Sequence, residues 1–119
     1  MEKEQRRAAI KSNIMLCEMQ TRLLRSMAHP TRLMILHFLE GGEKTMTELM
    51  EIDSVSHSNL SQHLALMRQQ KIITVRRDGV VVYYQIATPK IIHLCRLIRE
   101  IITEQTKRAY MQEASDRDS

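Results

Sequence analysis

Tryptophan is absent from the sequence, phenylalanine occurs once and tyrosine three times, so aromatic residues make up only 3% of the 119 positions. A core must then be assembled from Leu, Ile, Val and Met, and the nine methionines supply adjustable side chains of a kind common in helical proteins. Cysteine occurs twice, at Cys17 and Cys95, far apart and in separate segments. That is no secreted disulfide framework, and both are expected to start as thiols. No run of about 18 apolar residues occurs, which excludes a membrane-spanning helix. The stretch Met1 to Arg7 lacks the apolar segment of a signal peptide, so a cytoplasmic location is expected.

What is present bounds the rest. Hydrophobic residues at 43% and charged residues at 27% are ordinary for a globular chain and argue against global disorder. A chain of 119 residues has room for one domain with one modest core, expected over residues 1–110, with 111–119 as a flexible tail lacking apolar periodicity. The net charge of +4 and isoelectric point near 9.3 favour polyanionic partners without identifying one.

Residues 5–27 contain no Gly or Pro and place Ile10, Ile14, Cys17 and Leu24 at helical spacing, which predicts a first helix with an apolar stripe. His29-Pro30 ends it and opens a second helix over about 31–39. That helix carries Leu33, Ile35, Leu36, Phe38 and Leu39, the composition of a buried central element, and Gly41-Gly42 stops it. Either Thr45 or Thr47 would cap a short third helix ending near Ile52. Asp53 to Ser56 reads as a turn, with Ser56 as N-cap of a fourth helix running through Gln70. Leu60, Leu64 and Met67 form its apolar stripe, while Ser58, Gln62, Ala65 and Gln69 form an opposite face of small and amide side chains without long charges. Ile72 to Arg77 and Val80 to Ile86 are β-branched and aromatic-rich around Asp78-Gly79, a tight-hairpin signal. Pro89 begins a fifth helix with the stripe Ile91, Leu94, Cys95, Ile98, Ile101 and Ile102.

This order predicts a mainly α fold with a two-stranded β wing, a winged helix-turn-helix whose fourth helix enters the major groove. The residues also resemble a family. Leu23 to Leu33, with His29-Pro30-Thr31-Arg32 inside it, then Ser56 to Leu64, then Arg76-Arg77-Asp78-Gly79 before Val82-Tyr83-Tyr84, together resemble the ArsR (SmtB/ArsR) bacterial repressors over roughly residues 20–102. The resemblance implies a homodimer through the first and last helices, bound to double-stranded operator DNA, an inverted repeat, until an inducer releases it.

Carried over by position, Ser58, Ser61, Gln62 and His63 match the recognition-helix motif, flanked by Ser56, His57 and Asn59, while Arg76 and Arg77 match the wing. His57 and Asn59 stand where Gln and Ala are frequent in the family. The chemistry fits: a Gln amide reads an adenine edge through paired donor and acceptor, hydroxyls serve base or phosphate, and wing arginines serve phosphate or minor groove. Each has a plainer alternative. His63 lies beside the apolar stripe and could brace the helix instead, His29 is most simply a helix-boundary residue, and the two arginines could be a solvated tip.

The signal is less legible. The family's Cys-x-Cys metal motif on the third helix is absent, since Glu48 to Asp53 stands there. On the last helix only His93, Glu100 and Glu104 cluster on the polar face, with Cys95 roughly 160° from His93 around the axis. No metal site and no cofactor is expected. Cys17 and Cys95 are either packing residues, in a repressor whose signal is then a metal ion or another ligand, or a dithiol switch bridged by an oxidant, reactive sulfur or arsenite. Some relatives sense reactive sulfur with a cysteine pair whose first member lies in the second helix, near His37 here. An enzyme is not expected, because neither cysteine has a nearby base or a polar pocket. A winged helix used only for protein contacts is the other rival.

Overall fold

The computed structural model describes residues 1–52 and 56–118. Its elements run α1 (Glu2–Met27), α2 (Pro30–Leu39), β1 (Lys44–Thr45), α3 (Met46–Leu49), α4 (His57–Gln69), β2 (Ile73–Asp78), β3 (Val81–Ile86) and α5 (Pro89–Asp118). The chain divides into two compact units, Met1–Ala87 and Thr88–Ser119.

In the first unit the helix ends follow from local chemistry. His29 is extended and its Nδ1 accepts from the Thr31 N–H at 3.1 Å, with Pro30 opening α2. The boundary role read for His29 is thus a side-chain cap. Of the two threonines, Thr45 caps α3: its Oγ1 accepts from the Glu48 N–H at 3.2 Å while Glu48 Oε1 accepts from the Thr45 N–H at 3.3 Å, a reciprocal capping box. Residues 53–55 of the turn expected over Asp53 to Ser56 lie outside the described residues, but Ser56 is the N-cap of α4, its Oγ accepting from the Asn59 N–H at 3.1 Å.

α4 ends with Lys71 at φ +61°, the left-handed region. The Ile72 N–H donates to the Met67 carbonyl at 2.9 Å and the Lys71 N–H to that of Arg68 at 3.0 Å. This pair of bonds is the Schellman ending, usually built on glycine.

Packing assembles around α2 and α4, which meet each other, while α4 also packs on β2 and α2 on β3. Ile35, Leu49, Leu60, Leu64, Met67, Ile72 and Ile73 are the fully buried side chains, each stabilising by about 1.5–3 kcal/mol. The aliphatic core expected from the aromatic-poor composition is what fills the space. One expectation is corrected. α2 is not buried all round, since Leu33 and Met34 are 42% and 44% exposed. A helix of ten residues with apolar side chains on every side has only one face turned to α1, α4 and the sheet.

The wing differs in two details. β2 and β3 pair antiparallel with Asp78 opposite Val81, so the two-residue loop is Gly79-Val80, one position later than Asp78-Gly79. Gly79 has φ +61° and Val80 has no positive φ, the pattern of a type II′ loop. The sheet also has three strands, in the order β1-β3-β2, with Lys44 opposite Tyr84 and Thr45 opposite Tyr83. A two-residue strand carries no periodicity by which to be read.

α5 forms the second unit. It runs unbroken through Asp118, so residues 111–118, read from the sequence as part of a flexible tail without apolar periodicity, are helical. The segment has no helix breaker and carries two supports four residues apart: Gln112 Nε2 donates to Asp116 Oδ1 at 3.0 Å, and Arg117 pairs with Glu113 at 3.5 Å.

Candidate nucleic-acid interface

The first turns of α4 present a short polar array. Ser56, His57, Ser58, Asn59, Ser61 and Gln62 are all exposed, while Leu60 and Leu64, on the opposite side, are 0% and 2% exposed. The local reason is the period: burying residues 60, 64 and 67 turns 58, 61 and 62 outward. None of these side chains is a carboxylate, lysine or arginine, so the face offers amides, hydroxyls and an imidazole. Those are the groups that read base edges.

His63 does not share that face. It is half-buried, its Nδ1 accepts from Arg32 Nε at 3.1 Å, and its ring centroid lies 4.5 Å from that of His29 with planes inclined at 45°. Burial, then the neighbouring charges of His29 and Arg32, hold its imidazole below the usual histidine range. Arg32 also donates through Nη1 to the Arg25 carbonyl at 3.1 Å. Of the two roles open to His63, the geometry supplies the contacts of the brace.

The two wing arginines are equally unlike each other. Arg76 grips Glu43 with two bonds, Nε to Oε2 at 3.0 Å and Nη2 to Oε1 at 2.6 Å, and its guanidinium carbon lies 4.4 Å from the centre of the Tyr83 ring. The hydrogen bonds from Arg76 are the largest cause holding the Glu43 carboxyl below the usual carboxylate range, and they raise the Arg76 pKa in turn. Arg77, next along the strand, is exposed and no carboxylate among the described residues lies in ion-pair contact with it. Val80 at the loop tip is 99% exposed.

Two contacts at the candidate site escaped sequence reasoning. Glu43 lies 33 residues from Arg76 and Arg32 lies 31 from His63, separations at which neither periodicity nor spacing carries a signal. Arg32 did stand inside the motif around His29-Pro30, which was the available hint.

Of the proposed signal residues, Cys17 is exposed on α1 and Cys95 half-buried on α5. Cys17 also lies on an apolar stripe open to solvent: Ile10, Ile14 and Leu24 are 58%, 53% and 50% exposed. On α5, Ile98, Ile101 and Ile102 are 38%, 51% and 54% exposed. Among the described residues no group of three or more His, Cys, Asp or Glu is placed to hold a metal ion, and no helix is long and apolar enough to cross a membrane.

A polar groove-sized helix beside a β wing defines a winged helix-turn-helix DNA-binding protein. The sequence profile described as bacterial regulatory protein, arsR family, matches residues 29–75. A transcriptional regulator of Mycobacterium tuberculosis, Rv0081, is 33% identical over 88 residues, covering 73% of this chain and 77% of that protein. Its crystal structure superposes with a TM-score of 0.73 at 31% identity, over 78% of this chain and 94% of that one. The transcriptional repressor PagR of Bacillus anthracis is 35% identical over 92 residues, 76% of this chain and 92% of that protein. A homodimeric winged helix-turn-helix domain from Mycobacterium bovis shares the fold, with a TM-score of 0.72 at 23% identity over 81% of this chain and 89% of that one. The chain belongs to the ArsR family and is a DNA-binding transcriptional repressor.

Proposed function

We propose that the chain works as a cytoplasmic homodimer that closes on an inverted-repeat operator and is released by a thiol-reactive inducer. α4 enters the major groove with Ser56, His57, Ser58, Asn59, Ser61 and Gln62 toward the bases and nearby phosphates. Arg77 supplies the wing's phosphate or minor-groove contact, and Arg76 and His63 hold the reading surface in place. The observation that carries this is the exposed polar face of α4, backed by a buried apolar stripe on the same helix. Gln62 stands near its centre and is the residue assigned to base reading.

The second copy is supported by the stripes that α1 and α5 leave open, since isoleucines and leucines about half exposed on two long helices are costly in water. Two α4 helices of a symmetric dimer would have to stand about 34–36 Å apart to meet successive major grooves. A change at the dimer contact alters that spacing. An inducer acting on Cys17 and Cys95 needs a coupling of only about 1–3 kcal/mol to give 5- to 150-fold release, and Cys17 is accessible in the single chain. No cofactor or metal enters this reading.

The test is binding of the reduced protein to its own promoter DNA, repeated after polysulfide, peroxide, arsenite and zinc, in the original chain and in Cys17→Ser and Cys95→Ser. Release by one thiol reagent, lost in both variants, supports the dithiol switch. Unchanged binding in all arms leaves a DNA-binding repressor whose cysteines only pack. Weak binding without preference for an inverted repeat would sink the operator reading itself.

A further inference from the structure

α4 meets its neighbours mainly through apolar burial, which is strong but non-directional. A greasy stripe alone leaves a helix some freedom to slide along its axis or roll about it. Base reading tolerates neither, because a paired amide contact to a base edge is lost with a displacement of about 1 Å. A directional contact has to fix the helix.

Arg32 supplies one. Its Nε donates to His63 Nδ1 and its Nη1 to the Arg25 carbonyl, each at 3.1 Å. Arg25 lies in the last turn of α1, where carbonyls have no partner within their own helix. His29, which caps α2 through Nδ1, sets its ring 4.5 Å from that of His63. The C-terminus of α1, the N-terminus of α2 and the middle of α4 are thereby joined through one guanidinium and two imidazoles. His63 follows Gln62 directly, so its anchor fixes the roll of the base-reading residues.

We propose that Arg32 is a positioning residue for the DNA-reading helix, and that it holds α4 only while Nδ1 of His63 carries no proton. The inference rests on the reading of α4 as the groove helix. An arginine has donors and no acceptor, so the Arg32 contact requires a lone pair on Nδ1, which leaves the ring proton on Nε2. A second proton on the ring would set N–H against N–H. The charged groups acting on His63 are His29, the N-cap of α2, and Arg32 within α2, while α1 contributes the neutral Arg25 carbonyl. A proton taken up by His63 sets its charge against that of Arg32, and the contact opens as pH falls below the ordinary histidine range of about 6.5. Operator affinity should fall with it, against the general trend that added positive charge strengthens DNA binding.

The experiment uses the full chain and a duplex that it selects from a random-sequence library, with affinity measured from about pH 8 to about pH 5.5 at fixed ionic strength. The variants are Arg32→Lys, His63→Asn, His63→Leu and Gln62→Ala, and thermal unfolding is followed at each pH. The original chain should lose about tenfold in affinity across this range while still folded. His63→Asn places an amide oxygen near the position of Nδ1 without a titrating proton, so it should keep the neutral-pH affinity and flatten the acid loss. His63→Leu and Arg32→Lys should bind about tenfold more weakly at every pH, also with a flattened profile. The Arg32 Nε–H resonance should move with the same midpoint as the affinity. The inference is overturned if His63→Asn keeps the full acid loss, if Arg32→Lys binds like the original, or if affinity follows only the folded fraction. Gln62→Ala separates the two levels. Should it bind normally, the groove-helix reading fails and takes this one with it; should it bind weakly while Arg32→Lys binds normally, only the positioning role falls.

Discussion

Two helices of the first unit carry apolar stripes of similar quality and meet opposite fates. On α4, Leu60, Leu64 and Met67 are 0%, 2% and 0% exposed, whereas on α1 Ile10, Ile14 and Leu24 remain 58%, 53% and 50% exposed. Periodicity says that a helix has an apolar face; it does not say whether that face is covered by its own chain. α4 is covered from within and turns its polar side outward to work. α1 is left open along most of its length, with only Ser26 and Met27 buried at its end, and this open face is the one proposed above to meet a second copy.

The sharpest way to break this contrast is to damage each stripe. Leu64→Ala should destabilise the unit by about 2–5 kcal/mol through lost burial and a residual cavity, read as a lower midpoint in denaturant unfolding. Ile14→Glu should leave the fold of the single chain intact by circular dichroism yet weaken self-association by about tenfold or more, measured by sedimentation. If Ile14→Glu unfolded the chain or left association untouched, the stripe on α1 would not be a contact between copies.

Smaller effects sharpen the polar side. Arg77→Ala should lower operator affinity by less than about tenfold, roughly equally across sequences, and reduce the salt slope by about one. Arg76→Ala should act differently, since that side chain is already held by Glu43, and its loss should loosen the wing base rather than remove a phosphate contact. Equal salt slopes for the two variants would contradict the division of labour drawn from their partners. The smallest change expected is at the end of α4. Lys71→Gly should raise stability by up to about 1 kcal/mol, because glycine adopts positive φ without the steric cost that a Cβ brings, and a thermal melt would register it.

Much of this was legible because it is local. Ser56 as a cap followed by residues 60, 64 and 67 defined α4 and its outward face, and His29-Pro30 located the start of α2. What escaped was decided by distance or by brevity. The contacts of Arg32 with His63 and of Arg76 with Glu43 join segments more than thirty residues apart, and β1 is two residues long. The helical end of α5 was missed for another reason: it buries nothing, so the apolar period is silent, and its support lies in Gln112–Asp116 and Glu113–Arg117. The exposure of Leu33 and Met34 shows the converse error, in which apolar composition was equated with burial.

The two-residue strand has a consequence for how the wing moves. Because β1 pairs with β3, the backbone of Tyr83 and Tyr84 has a strand on both sides, and β3 is the centre of the sheet rather than the outer half of a free hairpin. Hydrogen exchange should therefore divide the wing in two, slow at these tyrosine amides and fast from Asp78 to Val81. The base is tied into the segment between α2 and α3 that leads to the reading helix, and only the tip is left to adjust to the width of a groove.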